Sequence, residues 1–169
     1  MNEQKLSVKS AIDKLAAKIG YTNVICLPLL FIGWFILSTA TVNVGFGSNL
    51  SLSLWKITAS GGDMSGFMNG GSSFSFYSLL LLIGFFGPVY PFYFKDIPAK
   101  IGNALPLIFI LLFLIIAYMK IKGLESDMND AFGRNSGMAK DLFRTIHLGA
   151  GFYLGLIVSI YLTIKGLKK

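Results

Sequence analysis

The chain has 169 residues, 54% of them hydrophobic and 14% charged, with a net charge of +7. Soluble domains carry roughly 25% charged residues, so the composition excludes a water-facing globule and leaves one compact membrane-embedded unit. The lysines flank apolar runs instead of forming a basic stripe interleaved with aromatics, which excludes a nucleic-acid partner.

Residues 1–20 are polar and lysine-rich. Val8, Ile12, Leu15, Ala16 and Ile19 recur on one helical face. Lys5, Lys9, Lys14 and Lys18 lie among the polar positions. The pattern predicts an N-terminal interfacial amphipathic helix, held on the anionic inner leaflet by its apolar face and its lysines. A solvated tail is the alternative. The remainder, residues 21–169, is expected to be a single four-span domain.

Residues 21–41 form the first predicted span, with no charge in its core. A hydrocarbon slab of roughly 30 Å needs about 20 helical residues. Pro28 is an expected kink. Cys26 lies in this run as a small apolar group, and no second cysteine exists to pair with it. The segment preceding this apolar core is long for a signal peptide, so an uncut span is expected.

In the first outer connection, Val42, Val44 and Phe46 alternate with small or polar residues. Leu50, Leu52 and Leu54 do the same after Gly47-Ser48-Asn49. Period-two alternation around such a turn predicts a small extracytoplasmic β-hairpin running to Trp55. Phe46, Leu52, Leu54 and Trp55 are its candidate partner contacts. Residues 57–75 are rich in glycine and serine and read as a loop.

Residues 76–94 form the second span, whose second half carries Gly84, Gly87, Pro88 and Pro91. Gly87, Pro88 and Pro91 are a candidate hinge or helix break. A tight turn over 95–103 makes the next helix an antiparallel neighbour. The third span covers 104–121. Its periodicity continues through Leu124, Met128 and Phe132, so this helix is expected to protrude. The fourth helix is predicted over 139–167, with its span at 148–166. The fold class is thus an all-α membrane protein, a four-helix transmembrane bundle with one hairpin outside.

Nine basic residues then fall on the side of the chain ends (Lys5, Lys9, Lys14, Lys18, Lys95, Lys100, Lys165, Lys168 and Lys169) and six on the other. The positive-inside rule places both termini in the cytoplasm. A bacterial inner membrane fits the lysine-rich tail and the lack of cysteine pairs.

Gly151, Gly155 and Ser159 recur every four residues on the fourth helix, a GxxxG step that lets another backbone approach closely. That seam joins helices of one chain or joins two copies. His147 heads the stripe as a candidate pH-sensitive group, or as a plain hydrogen-bonded anchor. One histidine and one cysteine do not build a usual zinc site. Glu125, Asp127 and Asp130 lack the spacing of a calcium loop. No acid, lysine or arginine falls in a span core, which argues against a proton-coupled carrier. No cofactor is expected.

The layout of four spans, a strand-bearing first outer segment and a protruding third helix resembles the architecture of claudins and the related peripheral myelin proteins. Claudins carry a tryptophan-rich motif ending in a cysteine pair in that segment. Here Leu54-Trp55 alone echoes it. The resemblance implies topology, and no barrier function is carried over. The leading expectation is a non-enzymatic protein that works by protein–protein contacts: an accessory subunit, assembly factor or immunity-type binder. The alternative is a self-associating pore or small-solute transporter, and a membrane enzyme comes third.

Overall fold

The computed structural model describes residues 2–43, 49–60, 75–93, 97–132 and 146–168. They are mostly helical, with one small three-stranded sheet. Helix α1 (Asn2–Ile19) closes on Gly20, whose φ of 91° lies in a region that favours glycine. The chain there turns by 102° into α2 (Tyr21–Phe31).

Helix α2 widens into a π turn, Ile32–Ile36, closed by Leu37 N–H donating to the Ile32 carbonyl at 2.8 Å. It ends there, short of the expected boundary at Thr41. Leu37 is already extended, with ψ of 151°. The alternation that favours a strand takes over at Ala40.

Strand β1 (Ala40–Asn43) pairs antiparallel with β2 (Asn49–Leu52), Val42 facing Leu50. The predicted hairpin therefore forms, but it stops at Leu52. Ser53 caps a short helix, α3 (Leu54–Ala59), by accepting from the Lys56 N–H at 3.4 Å. Leu54 and Trp55 thus stand on a helix and not on a strand. Phe46 and the turn around it lie outside the described residues, as does most of the glycine-rich loop.

Ser75 caps α4 (Phe76–Phe86), which tightens into a 3₁₀ segment at Gly87–Phe92. This is the irregular second half that the glycines and prolines predict. Helix α5 (Ile97–Phe132) starts earlier than expected, inside the predicted turn. Pro98 sits in its first turn, where a missing N–H costs nothing. The helix runs 36 residues and continues past its apolar window, Lys100–Lys120, as the periodicity predicts.

The fourth helix corrects the sequence reading most. Ile146–Leu148 is a strand, β3, and α6 covers only Ala150–Leu167. Strand β3 lies on the other side of β1, with His147 opposite Thr41, giving the order β2-β1-β3. Two backbone bonds hold the junction: Gly149 N–H to the Thr39 carbonyl and Gly151 N–H to the Ser38 carbonyl, each 2.8 Å.

Among the described residues, two segments, Lys100–Lys120 and Ala150–Leu167, are long and apolar enough to cross a membrane. Ser10–Ile19 with Tyr21–Ile36 makes a third if the bent pair counts as one, and Phe76–Phe92 is apolar but shorter. These lengths and compositions are compatible with an integral membrane protein. The core lies among α2, α4, α5 and α6, where Leu30, Trp34, Leu81 and Leu162 are fully buried. Phe85 and Phe109 pack on Trp34, with ring centroids 6.4 and 5.3 Å away.

Candidate functional site

Three places carry the predicted residues: a helix seam, a polar node at the end of the bundle near α1, and the sheet at the opposite end.

The seam joins α6 to the first rod. A methyl built on Gly155 would sit 2.5 Å from Trp34 Nε1, and one on Gly151 would sit 2.5 Å from the Gly33 carbonyl oxygen. Gly33 in turn faces the Gly155 backbone. Ser159 is fully buried and donates to the Gly155 carbonyl at 2.6 Å. Gly151 and Gly155 are thus in close contact with the π turn and the residues just after it in the same chain. Among the described residues, Trp34 Nε1 and Thr39 Oγ1 are buried without a hydrogen-bond partner.

The polar node was missed from sequence. Asn23 Nδ2 donates to the Pro88 carbonyl at 2.8 Å and to Asn103 Oδ1 at 2.9 Å. Both asparagines are buried, at 6% and 8% exposure. In 3₁₀ geometry the partner of the Pro88 carbonyl is the N–H three residues on. That residue is Pro91, which has none. Asn23 supplies the missing donor from another helix. Gly87 packs against the Gly102 carbonyl, and a methyl on Gly166 would meet the Asn103 side chain at 2.7 Å. The break at Gly87, Pro88 and Pro91 is therefore clamped on several sides. Part of the signal was available in Asn23, a neutral amide inside the first predicted span, since such groups seek partners across helices.

The sheet has two unlike faces. Thr41, Ser51 and His147 stand in one row. On the other face stand two apolar rows, Leu50–Val42–Ile146 and Leu52–Ala40–Leu148. Leu50, Ile146 and Leu148 are 43%, 36% and 50% exposed. Leu52 is half-buried. Among the described residues, β2 and β3 each have one strand neighbour. His147 is exposed at this sheet, and its carbonyl accepts from Thr41 Oγ1 at 3.4 Å.

The other predicted contacts turn inward. Leu54 is 3% exposed and belongs to the core. Trp55 stacks on Phe35 with centroids 5.5 Å apart, tying α3 to the π turn. Among the described residues, no three of His, Cys, Asp and Glu converge as metal ligands. Compared with protein-family models, with curated proteins and with solved structures, the chain matches none.

Proposed function

We propose that the chain is a four-span, non-enzymatic membrane protein that holds a partner protein on its outer sheet. The observation that carries this is the pair of apolar rows across β2-β1-β3, with Leu50, Ile146 and Leu148 at least about a third exposed. A small sheet that presents an apolar face and, among the described residues, two edge strands is suited to adding a strand or a greasy segment of another chain.

Four spans are supported by length. At about 1.5 Å per α residue and about 2.0 Å per 3₁₀ residue, Phe76–Phe92 reaches roughly 29 Å, close to a slab of roughly 30 Å. The node supports it too, because Asn23, Pro88, Asn103 and Gly166 bring one end of each rod to a common level. The same end carries Lys14, Lys18, Lys100, Lys165 and Lys168, all exposed. That basic end is read as cytoplasmic, in a bacterial inner membrane, with both termini inside. The alternative of a self-associating pore relied on Gly151 and Gly155 as an inter-subunit seam. Those residues lie against Gly33 and Trp34 of the same chain, which favours the contact reading over the pore or small-solute transporter.

Photo-crosslinking in the native membrane tests the proposal. A crosslinker in place of Leu50 or Leu148 should capture one defined protein, and Leu148→Asp should abolish capture from the Leu50 position. Capture of lipid alone, or the same products from lipid-facing Ile25, refutes it.

A further inference from the structure

The clearest surface outside that sheet is helix α1. Its residues Ile12, Leu15, Ala16 and Ile19 form a single apolar stripe. The stripe is split in its surroundings. Ala16 and Ile19 are 3% and 4% exposed, packed where α1 meets α2 and Gly87–Phe92. Ile12 and Leu15, on the same stripe, are 44% and 45% exposed.

The 102° bend decides which way this stripe looks. If α2 stands across the bilayer, α1 lies nearly in its plane. The side of α1 that covers the end of the bundle is then the side that faces the hydrocarbon. Ile12 and Leu15 share that side. Three contacts hold the angle: the Gly20 turn, Tyr21 Oη donating to Asp13 at 3.0 Å, and the Lys18 ammonium 4.5 Å from the centre of the Phe92 ring. Four lysines on α1 oppose two acids, Glu3 and Asp13. The exposed Lys100, Lys165 and Lys168 add positive charge at the same end.

We infer that α1 docks in the surface of an anionic phospholipid leaflet, with Ile12 and Leu15 in the acyl boundary and the exposed Lys14 and Lys18 against the headgroups. This rests on the first span of the reading above and not on the partner protein. Apolar burial is indifferent to lipid charge and is too small here to hold the helix by itself; the lysines make the docking depend on that charge. Each lysine near such a surface shifts the docked-to-undocked ratio by roughly fivefold.

The test uses the full chain in lipid nanodiscs, spin-labelled at Leu15→Cys in a Cys26→Ala background. Collision rates with oxygen and with a nickel chelate report depth. In discs containing phosphatidylglycerol the label should read as acyl-embedded. In pure phosphatidylcholine, or after Lys14→Glu, it should shift towards water. A label in water in both discs overturns the docking, and equal depth in both overturns the role of charge. A second label at Ile25, 62% exposed on α2, separates the premises. If Ile25 reads as lipid and Leu15 as water, the docking fails alone. If Ile25 reads as water, the span fails and the docking with it.

Discussion

Asn23 uses one amide nitrogen to reach two acceptors on two other helices. Such bonds within membranes are worth about 0.6 kcal/mol on average and up to about 1.7. Asn23→Ala leaves both the Pro88 carbonyl and Asn103 Oδ1 without this donor. Unfolding of the micellar protein should show a loss of about 1–2 kcal/mol. Pro91→Ala restores a backbone N–H beside the Pro88 carbonyl, so the Asn23→Ala, Pro91→Ala double variant should lose less than Asn23→Ala alone. A full loss in the double variant would mean that the carbonyl is not what Asn23 satisfies. The prolines and glycines announced the break in advance. The amide that repairs it lies 65 residues away, and no local pattern joins the two.

Between elements, the sequence made periodicity legible and contacts not. The helical faces, the hairpin and the overlong third helix all follow from apolar spacing. The three-residue strand β3 does not, because Ile146-His147-Leu148 is too short to alternate visibly and continues the apolar register of the helix after it. Leu54 and Trp55 misled for the opposite reason. They extend the alternation of β2, yet Ser53 caps a helix and turns Leu54 into the core. The GxxxG step was visible, but which surface it meets was not. Gly155→Leu places a bulky group where Trp34 Nε1 already lies, and overpacking of this kind costs about 1–3 kcal/mol. The expected outcome is a lower unfolding midpoint and a shift in tryptophan emission, with particle size by light scattering unchanged. A change in oligomer size with normal emission would place the contact between chains instead.

For the molecule as a whole, order of synthesis matters. Thr41 and His147 sit on neighbouring strands although 106 residues separate them. At roughly 5–20 residues per second, the middle strand waits on the order of 5–20 s for its second neighbour to emerge from the ribosome. During that interval one flank of β1 stays open. The three-stranded sheet closes only after Ile146–Leu148 has been made, so its completion marks a chain that has passed that point. A chain stopped before Ile146 should expose residues 40–52 to added protease, while the complete protein resists. Any ligand that needs all three strands would by the same logic ignore half-made copies, a form of quality control written into the connectivity itself.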